Sequence, residues 1–96
     1  MIKKLEDGRE NKKLIETFKI FTNYHRLEIL KLLKEKEKSV GQIADSLEIS
    51  FKATSKHLLF LSEKGILTRR YDGPFVLYSI SKNISGITQS IISKVL

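Results

Sequence analysis

Apolar residues recur at helical spacing through four successive stretches of the chain before the pattern changes. Leu14, Ile15, Phe18 and Phe21 come first and predict a helix from Asn11 to about Thr22, behind ten polar residues (1–10) expected to fray. Asn23 can cap a second helix carrying Leu27, Ile29, Leu30, Leu32 and Leu33. An alternating-sign surface turn, KEKEK at 34–38, leads to Ser39, which opens a third helix. Gln42 lies three residues on, the spacing of a capping box, and Val40, Ile43, Ala44 and Leu47 form the inner face. After a break at Glu48–Ile49, Ser50 caps a fourth helix running from Phe51 to about Lys64. It stops at Gly65, the residue type that ends helices in a left-handed conformation.

Beyond Gly65 the chain reads ILTRRYDGPFVLYSI, two β-prone runs flanking Asp72–Gly73, which predicts a hairpin. Pro74 beside that turn suits an exposed, unpaired edge. From about Asn83, the residues Ile84, Ile87, Ile91 and Val95 follow at spacings of three, four and four, one narrow apolar stripe on a final helix. The expected fold class is mainly α with a small β-hairpin: five helices, with a two-stranded wing between the fourth and fifth. Two helices joined by a tight turn and followed by a basic hairpin spell a winged helix-turn-helix, the helix pair over 39–64 and the wing over 66–80. No repeat or linker divides the 96 residues, so one domain is expected.

The net charge is +7, and its placement matters more than its size. Residues 1–50 hold eleven Lys/Arg against nine Asp/Glu, whereas 51–82 hold six against two. A cationic excess gathered in a third of the chain points to a nucleic acid or an anionic surface as partner. Cysteine is absent and the two histidines lie far apart, which removes disulfides and leaves little for a metal or catalytic cluster. No cofactor, metal or membrane partner is expected. There is no 18-residue apolar run, and MIKKLEDGRE lacks the apolar core of a signal peptide, so a cytosolic protein is expected. An enzyme is not: no nucleophile–base–acid set or phosphate-cradling glycine loop stands in the sequence.

The fourth helix carries the sharpest signal. With Thr54 placed at zero and about 100 degrees per residue, Leu58 and Leu61 fall on the same side and define the core face. Lys52, Lys56, Leu59 and Glu63 gather near the opposite pole, with Ser55 at the margin. Lysine donates to guanine or phosphate and serine bonds base edges or backbone, so the outer face of the first two turns suits the major groove of double-stranded DNA. Phe51 fits either a staple against the preceding helix or an apolar contact to a thymine methyl, and His57 either packing or a phosphate contact. Gln42 and the amides after Ser39 could hold a phosphate. In the hairpin, Arg69 and Arg70 point to opposite faces, so one of the two would reach the DNA backbone. Taken singly, each of these residues also fits a plain solvated surface. The rival from another class is a protein-interaction module, for which Leu59 and Phe60 on an outer face would speak. RNA is disfavoured because clustered exposed aromatics are lacking.

These stretches resemble the ArsR family of small prokaryotic winged-helix repressors over roughly Thr17–Ser81. FKIFTNYHRLEILKLL resembles the family's opening, with Asn23, Arg26 and Ile29–Leu33 in place. SVGQIADSLEISFKATSKHLLFLSEKGIL resembles its helix-turn-helix at Ser50, Ser55, His57, Leu58, Leu61 and Gly65, and RRYDGPFVLYSI its wing, including Gly73. The resemblance implies a homodimer joined through its first and last helices, here 11–22 and 83–96. Leu14, Phe18, Phe21, Ile84, Ile87, Ile91 and Val95 would then form the interface. It also implies two recognition helices in successive major grooves. Departures are informative. Ser39 and Gly41 stand where metal-sensing members carry a Cys-x-Cys pair, and GITQSIISKVL lacks the acidic and histidine ligands of a second family site. Pro74 replaces a common wing arginine, and Glu48 a common turn glycine, which would cost about 1 kcal/mol if its backbone is left-handed.

Overall fold

The structure, a computed structural model, describes residues 8–84 and 86–96. The elements in order are α1 (Gly8–Ile20), α2 (Tyr24–Glu35), β1 (Lys38–Ser39), α3 (Val40–Leu47), α4 (Phe51–Glu63), β2 (Leu67–Asp72), β3 (Phe75–Ile80) and α5 (Gly86–Ser90), which continues into a π-helical turn over Ile91–Val95. This is the winged helix-turn-helix expected, with one strand more than foreseen. Strand β1 pairs antiparallel with β3, Lys38 opposite Tyr78 and Ser39 opposite Leu77, giving a sheet ordered β1-β3-β2. Two residues are too few to show an alternation, and the KEKEK stretch reads as a turn. In fact α2 runs through Glu35 and the strand begins at Lys38.

The core is built where the periodic positions meet. Ile29 and Leu30 of α2, Ile43 of α3 and Leu58 and Leu61 of α4 are fully buried. Ile66, Leu67 and Tyr78 close it from the sheet side, and Ile20 and Ile92 from the two terminal helices. Burying five such aliphatic side chains contributes about 1.5–3 kcal/mol each before chain entropy is subtracted. Thr54 is also fully buried, and its hydroxyl donates to the Ser50 carbonyl at 2.9 Å, so no polar atom is left unpaired at that point.

Four boundaries differ from the sequence reading. Helix α1 starts at Gly8, so residues 8–10 are helical; the fraying expected for 1–7 falls outside the described residues. It ends at Ile20 rather than Thr22 because Arg26 bonds the carbonyls of Lys19 and Ile20, while Phe21 and Thr22 close a tighter turn onto Phe18 and Lys19. The hairpin pairs Asp72 with Phe75, so its two-residue loop is Gly73–Pro74 and not Asp72–Gly73. Gly73 has φ +61° and proline follows with its fixed negative φ, the combination of a type II′ turn. Pro74 therefore sits inside the turn, where its missing N–H breaks no ladder bond. The final helix begins at Gly86 rather than Asn83, which leaves Ile84 outside it and packed against the core. The wider π turn then rotates Ile92 inward, a residue outside the predicted stripe.

Helices α3 and α4 end in the same way with different residues. Gly65, at φ +77°, donates to Ser62 and Ile66 donates to Leu61, the bond pattern of a Schellman cap. After α3, Glu48 takes the left-handed position at φ 57°, donating to Asp45 while Ile49 donates to Ala44. A side chain with a Cβ is strained there. Glu48→Gly should therefore raise stability by about 0.5–1 kcal/mol, the strain relieved less the entropy glycine adds to the unfolded chain. Thermal unfolding of the two proteins checks this, and an unchanged or lower midpoint would mean that the strain at Glu48 does not exceed the entropy glycine adds to the unfolded chain.

Candidate nucleic-acid interface

Helix α4 is fixed in azimuth by Thr54, Leu58 and Leu61 on its buried side. The Ser50 hydroxyl accepts the Ala53 N–H at 2.9 Å and starts the helix cleanly. With the inner face spent, Phe51, Lys52 and Lys56 are exposed and Ser55 is half-buried beside them. The helix N-terminus adds a partial positive charge to this cationic face.

His57 stands apart from that group. Its ring lies 5.6 Å from the ring of His25 on α2, half-buried at the seam between the two helices. Burial first, then His25 and Arg26, holds its pKa below the ordinary imidazole value, so it is neutral at neutral pH. Phe60 also finds an explanation: the Arg26 guanidinium sits 4.2 Å above its ring, and Lys64 approaches the same ring at 5.5 Å. Arg26 thus joins three helices, bonding the end of α1, standing on α2 and covering α4. Leu59 remains 54% exposed, and nothing in the structure accounts for it.

Gln42 is drawn into the capping box: its side-chain oxygen accepts the Ser39 N–H at 2.9 Å, and Ser39 Oγ accepts the Gln42 N–H at 3.2 Å. Those two amides are thereby occupied. The amides of Val40 and Gly41, in the first turn of α3, have no acceptor within the helix.

In the wing the two arginines separate by strand alternation. Arg69 faces the same side as Tyr78, its cross-strand partner, and is exposed. Arg70 lies on the other side, where Nε donates to both carboxylate oxygens of Glu37 at 3.0 and 3.2 Å and Nη2 bonds the same group. These hydrogen bonds hold the Glu37 carboxyl below its ordinary range. Glu37 is the participant that sequence reasoning missed. Its signal was its place just before β1, but only the third strand brings it across the sheet to Arg70.

Among the described residues no three histidine or carboxylate side chains gather as a metal site would need. No helix of the described residues is long and apolar enough to cross a membrane.

A buried helix pair, a cationic outer face on its second helix and a β-wing beside it define the class: a DNA-binding winged helix-turn-helix protein. The chain belongs to the ArsR family of bacterial regulators. A family profile described as "Bacterial regulatory protein, arsR family" matches residues 24–69. The transcriptional activator HlyU of Vibrio cholerae is 34% identical over 76 residues, spanning 79% of this chain and 70% of HlyU. The arsenical resistance operon repressor of Escherichia coli is 36% identical over 81 residues, 83% of this chain and 69% of the repressor. A solved structure of HlyU from V. cholerae superposes with a TM-score of 0.77 at 31% identity, covering 92% of both chains. These relatives are transcriptional regulators.

Two outcomes are expected from this geometry. Glu37→Gln should release Arg70 and strengthen binding to any duplex, with a salt slope steeper by about one. Fluorescence anisotropy at several salt concentrations reads both, and an unchanged slope would mean that Arg70 does not meet phosphate. For His57, the unfolded chain binds the proton more readily than the folded one, so its contribution is present above about pH 6.5 and is lost as pH falls below that value. Thermal stability should therefore drop as pH falls through about 6.5 and below, and drop less in His57→Gln. Parallel pH profiles for the two proteins would show that His57 is unperturbed.

Proposed function

We propose that this chain is a dimeric, sequence-specific transcriptional regulator that represses by occupying its site. The observation that carries the reading is the outer face of α4: Lys52 and Lys56 exposed, Ser55 beside them, and the opposite face fully spent on the core. An exposed face of cationic and short polar side chains at a helix head suits a major groove, where they donate to base edges and phosphates. Phe51 flanks this set. Arg69 extends the contact to the backbone through the wing, and Arg70 joins it once its bond to Glu37 yields. His57, packed on His25, supports α4 more than it reaches DNA, and Gln42 serves by capping the first helix of the pair.

Dimerisation is supported by apolar surface that this chain leaves uncovered. Leu14, Ile15 and Phe18 on α1 are 44%, 56% and 45% exposed, and Ile87 and Val95 at the far end 48% and 73%. Leu14 and Ile87 line one groove between the two helices. Phe21 and Ile84, by contrast, pack against the chain's own core and take at most a marginal part. Repression follows from steric exclusion, since a dimer over successive grooves covers DNA that a polymerase needs. The named relatives include one activator and one repressor, so the sign of regulation also depends on where the operator lies.

The test is binding to a duplex from upstream of the chain's own gene beside a scrambled duplex. A gap of roughly 1,000-fold supports a specific regulator. Lys56→Ala should cost about 1–3 kcal/mol more on the specific duplex than on the scrambled one. An equal loss on both would make Lys56 a phosphate contact, and no loss would remove it from the site. Failure to bind either duplex at low salt would sink the DNA reading and turn the search to a protein partner.

A further inference from the structure

An apolar cleft opens between the head of α4 and the wing, and none of the polar contacts described above uses it. Phe51 of α4, Val40 of α3 and Pro74, Phe75 and Val76 of the wing line it, enclosing about 220 Å³. Ser39 adds the one hydroxyl side chain there, and that hydroxyl already accepts the Gln42 N–H. Phe51 and Phe75 are 62% and 58% exposed, two large aromatics from separate elements turned to one opening. Exposed apolar clusters of this kind mark binding surfaces.

Resting on the reading of α4 as a DNA-recognition helix, we propose that this cleft is a thymine-specific site in which Phe51 receives the C5-methyl group of a thymine in the major groove. The charge around it favours this occupant. Lys52 is the next residue on α4 and Lys56 lies one turn further, both exposed, so the cleft opens at the head of the helix that carries this cationic face. Residues 51–82 hold six Lys/Arg against two Asp/Glu, which complements a polyanion and not a neutral apolar peptide. Within a major groove the edges of guanine, cytosine and adenine present donors and acceptors, and thymine alone adds a methyl group. The walls that Phe51, Val40, Pro74, Phe75 and Val76 supply gain by covering a methyl and gain nothing from a ring edge that lacks one, so the cleft prefers thymine. Position on the helix agrees. Phe51 precedes Ser55 by one turn on adjacent azimuths, so a methyl on Phe51 sets the neighbouring base pair within reach of Ser55. The wing contributes Phe75 as the far wall, which couples the groove contact to the wing's seating.

The experiment uses the full chain and a randomised duplex pool from which bound DNA is selected and read. Each thymine of the selected duplex is then replaced by deoxyuridine, which deletes the methyl and keeps every hydrogen-bonding group. Wild-type affinity should fall roughly fourfold at one thymine of each half-site, the value of one buried methyl. Phe51→Ala should bind the thymine and uracil duplexes alike, and Phe51→Leu should retain part of the difference. Matching thermal unfolding of the variants guards against misfolding, which Phe51 at a solvent-exposed helix start does not invite. If uracil is tolerated at every position while the selected duplex still outcompetes a scrambled one, the thymine site is wrong and the DNA reading stands. An equal uracil penalty in wild type and Phe51→Ala overturns it too. Failure to enrich any sequence overturns the DNA reading, and this assignment falls with it.

Discussion

What this chain presents to solvent along its helix-turn-helix depends on how α4 is rotated about its own axis. Thr54, Leu58 and Leu61 are without solvent exposure, against Ile29, Leu30 and Ile43 that are equally buried. In a close-packed interior a helix cannot turn by even one residue without withdrawing Leu58 and Leu61, and half a turn would bury Lys52 and Lys56. The outer face is therefore a consequence of the inner one. Lys52 and Lys56 are presented because Leu58 and Leu61 have nowhere else to go.

A second constraint is electrostatic, and it makes the cationic surface smaller than a count of lysines and arginines suggests. Arg70 is neutralised locally by Glu37, Lys64 reaches Glu16 at 3.2 Å, and Arg26 is spent on helix carbonyls and the Phe60 ring. Lys52 and Lys56 at the head of α4 and Arg69 in the wing are exposed and outside these pairs. Exposed pairs such as Arg70–Glu37 contribute little to folding and exchange readily for a phosphate. Their effect is on where and how strongly a polyanion is met. The apolar remainder of the same surface, Phe51 and Phe75, is what the proposed thymine contact would use to prefer one base over another.

Much of the fold was legible because its signals are local. Capping serines at Ser39 and Ser50, the helix stop at Gly65 and the leucine periodicity of α2 and α4 each act within four residues, and the structure places those boundaries where they were read. The outer face of α4 was legible in the same measure: that Lys52 and Lys56 are exposed with Ser55 beside them follows from the helical period alone. The turn at Gly73–Pro74 was missed by one residue because Asp-Gly is itself a strong turn signal, and only the pairing of Asp72 with Phe75 decides between the two.

The sequence by itself determined the order of the five helices and the hairpin, the buried faces of α2, α3 and α4 and the cationic excess over residues 51–82, since period and capping are properties of neighbours along the chain. The tertiary structure alone decided that Lys38 and Ser39 become a third strand, that Glu37 masks Arg70, that His57 rests on His25, and that Phe51 and Phe75 share one cleft. In each of these cases the partners lie 24 to 40 residues apart, and no local preference reports on a contact that packing creates.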